Sequence, residues 1–226
     1  MSQLTRALTA EFLGTFTLVF IGAGAVVSDN ASGGQVGLLG VALAHAIALA
    51  VMVTAALRIS GGHLNPAVTL AVWLSRRLSS SNALFYVVTQ LVAAVVAAIL
   101  VKALFPAGAG VLTAYGVPRV DGEVSLAQAI VIEAVLTFML VSAVFGTAVS
   151  SEAPAVGGFG IGLVLLFAIL VGGPLTGAAL NPARAFGPAV AANDWYAQVA
   201  YWAGPLLGGA VASLVWSRVL LPPEGR

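Results

Sequence analysis

Two strings carry the residue types that could handle a small polar solute. Leu-Asn-Pro-Ala occurs at 64–67 and again at 180–183, with Asn65 and Asn181 standing 116 residues apart. Asn is a favoured helix N-cap and Pro is favoured at the first helical position, so Asn65-Pro66-Ala67 and Asn181-Pro182-Ala183 read as two helix starts. An Asn side chain has one carbonyl oxygen and two N–H donors. If the oxygen caps its own helix, the donors are left for a solute. Arg184 follows the second string directly. Its guanidinium is permanently charged and offers five donors, so it could bind a solute oxygen and repel cations. His45 is the lone polar residue in the apolar stretch from Val41 to Val51. As a neutral imidazole it could orient a solute or steer Arg184.

Other chemistries find little support. Cysteine is absent, which leaves no disulfide framework or thiolate site. His45 and His63 are the only histidines, too few for a typical zinc site, so no metal or cofactor is expected. No nucleophile–base pair is visible, which argues against an enzyme. The chain is 60% hydrophobic and 8% charged, with net charge +1. Soluble domains carry about a quarter charged residues. The composition therefore implies an integral membrane protein with the lipid bilayer as a partner, and nothing suggests nucleic-acid binding.

The elements that must hold these residues follow from length. A spanning helix needs about 20 mostly apolar residues. Six segments qualify, roughly 8–27, 36–57, 82–104, 126–149, 157–174 and 197–220. Connections near 28–35, 105–125 and 150–156 hold turn residues. Two apolar stretches, 65–74 and 181–190, are too short to span and read as re-entrant half-helices. Irregular backbone at membrane depth survives only when buried in protein or lining a water-filled cavity. The expected fold is therefore an all-α membrane protein of six transmembrane helices plus two half-helices.

The halves resemble each other. Glu11, Thr15 and Phe16 match Glu133, Thr137 and Phe138 in register, and Ser60-Gly61 matches Thr176-Gly177. Repeat one covers about 8–104 and repeat two about 126–220, within a single channel domain 1–226. Each half holds three spans. Three is odd, so the second half enters from the opposite side, as an inverted 3+3 repeat with its site near the midplane. Both termini then share a face. That face carries Arg6, Arg58, Arg76, Arg77, Arg218 and Arg226; the other carries Lys102, Arg119 and Arg184 with Asp29, Asp121, Glu123 and Asp194. The positive-inside rule makes the termini cytoplasmic. Without a cleavable signal or a transit segment, a prokaryotic plasma membrane is expected.

Opposed topology makes the half-helix N-termini meet. Each carries the equivalent of about half a positive charge, and two facing each other repel cations. Backbone carbonyls of Gly61, Gly62, His63 and Leu64 are expected to line the cytoplasmic half-pore, and those of Gly177, Ala178, Ala179 and Leu180 the outer half. Glu11 and Glu133 are isolated acids within spans one and four. A lone carboxylate at that depth costs roughly 2.5–3.5 kcal/mol on insertion scales. They read as acceptors holding backbone N–H groups of the two irregular loops, or alternatively as carboxylates that couple transport to protons. Gly14, Gly22, Gly24, Ala93, Ala94, Gly208 and Gly209 read as close-packing positions between helices.

On its paired Asn-Pro-Ala motifs and inverted repeat, the chain resembles the aquaporins, the major intrinsic protein family, over essentially all 226 residues. Aquaporin-type pores exclude protons by half-helix dipoles and an Arg. The resemblance implies a homotetramer with one pore per subunit. It also implies a selectivity filter at His45, Ile169, Ala178 and Arg184, found by distance from the two motifs. Aquaglyceroporins typically carry Asp after the motif's Arg, where this chain has Ala185. The pair Tyr201-Trp202 resembles the late aromatic pair of water-type members. The His/Ile/Ala/Arg set and the stretch Gly172–Ala189 resemble plant tonoplast intrinsic proteins, some of which pass ammonia, urea or hydrogen peroxide. A loop His found in some of those proteins has no counterpart; Tyr115 and Arg119 lie nearby in the sequence. The expected function is a passive channel for water and also for ammonia or other small neutral solutes, excluding protons and ions. A glycerol-type facilitator is the first alternative. A proton-coupled secondary transporter or a non-conducting structural membrane protein is the alternative from another class.

Overall fold

The computed structural model describes residues 1–221. The expected Arg226 lies outside the described residues. Among the described residues nine α-helices follow in order: α1 Gln3–Ala31, α2 Gly37–Ala56, α3 Pro66–Leu74, α4 Ser80–Leu104, α5 Ala107–Leu112, α6 Leu126–Val144, α7 Phe159–Thr176, α8 Pro182–Ala192 and α9 Gln198–Val215. Helices α6 and α9 each continue into a wider π-type turn, Phe145–Val149 and Trp216–Leu220. Six of these helices are long and apolar enough to cross a membrane, and α3 and α8 are the two half-helices.

Local sequence explains most of the starts. Ser2 caps α1 by accepting the Thr5 N–H at 3.1 Å, and Ser79 caps α4 by accepting that of Asn82 at 3.3 Å. Ser125 and Gln128 form a reciprocal capping box on α6. Helix α7 ends where Gly177 takes φ 78°, the left-handed conformation that glycine adopts without penalty. Two boundaries differ from the expected ones. Helix α1 runs 29 residues, through the polar Ser28-Asp29-Asn30, because the Gly33 and Ser32 N–H groups take the Asn30 and Ser28 carbonyls only there. The 105–125 connection is not a plain loop: it holds α5 and a 3-10 turn at Ala114–Gly116.

The packing repeats itself between the halves. Helix α1 lies against α2 and α4, as α6 lies against α7 and α9. Each half-helix packs on the other half, α3 on α9 and α8 on α4, while α2 meets α7 across the middle. Small residues permit these approaches. A Cβ on Gly208 would sit 2.1 Å from the Ala134 carbonyl, and one on Gly187 2.4 Å from that of Ala94. Gly14 and Gly22 have a different task from helix–helix contact. Gly14 makes room for the Leu64 side chain and Gly22 for the His45 ring. Large apolar side chains such as Ile47, Val88, Val131 and Val171 face outward, as lipid or another copy of the chain would require.

Candidate functional site

The half-helix starts are built as their sequence implies. Asn65 Oδ1 accepts the Ala67 N–H at 2.8 Å, and Asn181 Oδ1 accepts those of Ala183 and Arg184 at 3.0 and 3.3 Å. The amide nitrogens do something the sequence does not suggest. Asn65 Nδ2 donates to the Leu180 carbonyl and Asn181 Nδ2 to the Leu64 carbonyl, each at 2.9 Å. One of each Asn's two N–H donors is thus tied across the midplane, and one remains. The cause lies in the loops: Leu64 and Leu180 both take φ 52°, and their buried carbonyls need donors. The Leu64 and Leu180 carbonyls thus each accept one bond from the other repeat and keep a second lone pair.

The loops themselves hang from the two buried acids. Glu11 accepts the Ser60 hydroxyl at 2.7 Å, the His63 N–H at 2.9 Å, the Leu64 N–H at 2.7 Å and the Gln90 amide at 2.8 Å. Glu133 accepts the Thr176 hydroxyl at 2.7 Å, the Ala179 N–H at 3.0 Å and the Leu180 N–H at 2.8 Å. Hydrogen bonds to a charged acceptor contribute about 1.5–3 kcal/mol each, so three or four offset the insertion cost of the carboxylate. Two tyrosines complete the pattern: Tyr86 donates to the Ser60 carbonyl at 3.0 Å and Tyr201 to that of Thr176 at 2.8 Å. Ser60 and Thr176 are matched in the sequence, but their place in this network shows only in three dimensions.

Repeat one carries an extra relay. Gln90 Nε2 donates to both Glu11 and Thr69 Oγ1, the latter at 3.0 Å. Thr69 Oγ1 in turn lies 3.1 Å from His63 Nδ1.

Two cavities run end to end through the bundle. The inner one is bordered by His45, Gly62, His63, Asn65, Ala179, Leu180, Asn181 and Arg184, with Val53, Val144 and Ile161 among its apolar walls. The outer one is bordered by His45, Gly116, Arg119, Ile169, Gly177 and Arg184 among others. Among the described residues only His45 and Arg184 border both. Gly61, Leu64 and Ala178 border neither; Ala178 is buried, with its N–H held by Thr176 at 3.2 Å.

Arg184 is fixed on two sides. Its Nη1 donates to the Gly116 carbonyl at 2.7 Å and its Nη2 lies 3.4 Å from His45 Nε2. His45 Nδ1 lies 2.9 Å from the Val41 carbonyl, which can only accept, so the ring proton sits on Nδ1. The lone pair on Nε2 then faces the guanidinium. Sequence reasoning missed Gly116. The run Ala114, Tyr115 and Gly116, all with positive φ, belongs to the folded backbone and leaves no signal in the sequence. Among the described residues no group of His, Asp or Glu could hold a metal ion.

Residues 1–216 match the family model described as Major intrinsic protein. The chain belongs to the major intrinsic protein family. Within it, the chain is 42% identical to "Aquaporin TIP4-4" of Zea mays, over 97% of this chain and 88% of that protein. It is 41% identical to "Probable aquaporin TIP3-2" of Arabidopsis thaliana, over 96% of this chain and 84% of that one. Among solved structures, the aquaglyceroporin from Plasmodium falciparum superposes with a TM-score of 0.85 at 23% identity, covering 96% of this chain and 97% of that one. That likeness shows the shared aquaporin fold. The protein is an integral, multi-pass membrane protein of a channel family and not an enzyme. These relatives are plant proteins, so the expected prokaryotic plasma membrane gains no support from them.

Proposed function

We propose that this aquaporin is a passive water channel whose selectivity is set at the neck beside the His45–Arg184 pair. The observation that carries this reading is that, among the described residues, these two side chains alone border both cavities, in contact with each other at 3.4 Å. A solute leaving one cavity for the other passes an imidazole lone pair and guanidinium donors. Ile169 borders the outer side of the neck as an apolar wall, and Ala178 keeps the loop beside it small. Below the neck, the remaining N–H of Asn65 and of Asn181 can hold a water oxygen at the half-helix N-termini. That water's hydrogens then point away along the pore, which interrupts the chain a proton would follow. Ammonia, urea and hydrogen peroxide are the further solutes that a His/Ile/Ala/Arg filter would admit, since Ile169 leaves one wall apolar.

Glu11 and Glu133 serve this channel as loop supports. Both are fully buried, neither borders either of the two cavities, and each accepts three or four hydrogen bonds. That arrangement does not favour a proton-coupled transporter. A glycerol-type reading lacks a supporting residue: Ala185, in the place of that branch's Asp, is fully buried in an apolar cluster with Tyr201. The excess of Arg at the α1 start, the α2 end and the α9 end supports cytoplasmic termini. A homotetramer with one pore per subunit fits the outward apolar faces.

Stopped-flow flux on proteoliposomes tests the reading. Water should pass with a low activation energy and no ion gradient, and ammonia should follow. His45→Phe combined with Ile169→His should narrow the channel toward water alone. A requirement for an ion gradient would overturn the passive channel, and a wild type that passes water but no ammonia, urea or peroxide would overturn the wider filter.

A further inference from the structure

Lys102 lies near the outer end of α4, where a lysine on a lipid-facing helix would ordinarily extend its ammonium toward headgroups. The residue is exposed, but its ammonium is held by the protein instead. Its Nζ donates to the Ala191 carbonyl at 2.7 Å and stands 5.3 Å from the centre of the Tyr115 ring. Both contacts lead to Arg184. Ala191 is in the last turn of α8, the half-helix whose first turn carries Arg184. An ammonium there meets the negative end of the helix dipole. Tyr115 immediately precedes Gly116, whose carbonyl holds Arg184 Nη1 at 2.7 Å.

The Tyr115 segment has little freedom of its own to choose another arrangement. Tyr115 adopts φ 52° and ψ 34°, an uncommon conformation for a bulky residue, and must be held by its surroundings. Its ring lies directly on Gly110, where a Cβ would come within 2.2 Å of Cε1. The other side of the next residue is equally tight, since a Cβ on Gly116 would sit 2.7 Å from the Ala23 Cα. The ring is thus held between the Gly110 backbone and the Lys102 charge, and the Gly116 carbonyl is presented to the guanidinium in one orientation.

We infer that Lys102 is a positioning residue for the filter: by bridging the end of α8 and the face of Tyr115, it fixes the anchor that holds the Arg184 guanidinium beside His45. This rests on the neck between His45 and Arg184 being the selectivity filter. Loss of the bridge lets the Gly116 carbonyl turn, and the guanidinium then samples positions farther from His45. The neck widens intermittently, and solutes larger than water gain more than water does.

The test is the ratio of urea to water permeability in proteoliposomes. Lys102→Met keeps the apolar stem and removes the charge and its donors; the ratio should rise by roughly three- to tenfold. Lys102→Arg, which retains charge and donors, should return it toward the wild-type value. Tyr115→Leu should raise the ratio as Lys102→Met does, and the double variant should exceed neither single by much, because both break one bridge. A purely structural cap on α8 gives a different result: Lys102→Met would lower the thermal midpoint and leave the ratio unchanged, which overturns the inference. Independent, multiplying effects of the two substitutions would also overturn it. If Lys102→Met cannot be reconstituted, Lys102→Gln and Tyr115→Leu carry the same comparison. Arg184→Ala separates the two levels: a raised ratio there with none at Lys102 rejects only the positioning role, whereas no change at Arg184 rejects the filter itself.

Discussion

Gly22→Ala should close the neck by pushing the His45 ring into it. A Cβ at Gly22 would lie 2.3 Å from His45 Nε2 and 2.5 Å from Cδ2. Ordinary contact needs about 3.4 Å or more, so the ring or helix α1 must shift by roughly 1 Å. The ring is not free to swing away, because Nδ1 is bound to the Val41 carbonyl at 2.9 Å. The atom that is struck is the one in contact with Arg184 Nη2 at 3.4 Å, so the displacement disturbs the side chains that border both cavities. Overpacking of this size costs about 1–3 kcal/mol. Expressed as a barrier at the neck, that is roughly five- to 150-fold in water permeability. Stopped-flow light scattering on proteoliposomes, normalised to channel number, measures it. The double variant Gly22→Ala with His45→Ala supplies the control, since without the ring the new methyl has nothing to displace and flux should largely return. Wild-type water flux in Gly22→Ala, or no recovery in the double variant, would refute the reasoning.

Three further outcomes follow from the same contacts. Glu133→Gln and Glu11→Gln each supply one acceptor oxygen where a carboxylate supplies two. One loop N–H in each is left unsatisfied, and each variant should lose about 1–3 kcal/mol, read as a lowered thermal midpoint in detergent. Tyr201→Phe removes only the bond to the Thr176 carbonyl. It should cost about 1 kcal/mol and leave the permeability ratios of different solutes unchanged in the same flux assay. Gly208→Leu should abolish folding, because even a Cβ there lies 2.1 Å from the Ala134 carbonyl of α6; loss of monodisperse protein on size-exclusion chromatography checks this.

Residues whose meaning depends on local sequence could be read directly. Apolar length fixes the spans, because a bilayer demands about 20 such residues. Asn-Pro fixes the half-helix starts, because capping and the proline φ are local properties. The matched Glu11 and Glu133 gave away the repeat, and the odd number of spans gave its inversion. His45 and Ile169, which border the cavities, could be singled out as a pair only by counting along a family pattern, since nothing local distinguishes Ile169 from its apolar neighbours.

What the sequence could not supply was every contact between distant segments. Asn65 and Asn181 each spend one donor on the other repeat's Leu carbonyl, 115 and 117 residues away. Gly116 reaches Arg184 from 68 residues away, out of a connection that looks like an ordinary turn-rich loop. Gly22 looks like any small residue of a membrane helix until the His45 ring is found against it. Local preference decides where each helix begins and how long it runs. Which buried polar group answers which depends on how the two inverted halves close on each other, because only a closed fold brings donors and acceptors from both halves to the same depth.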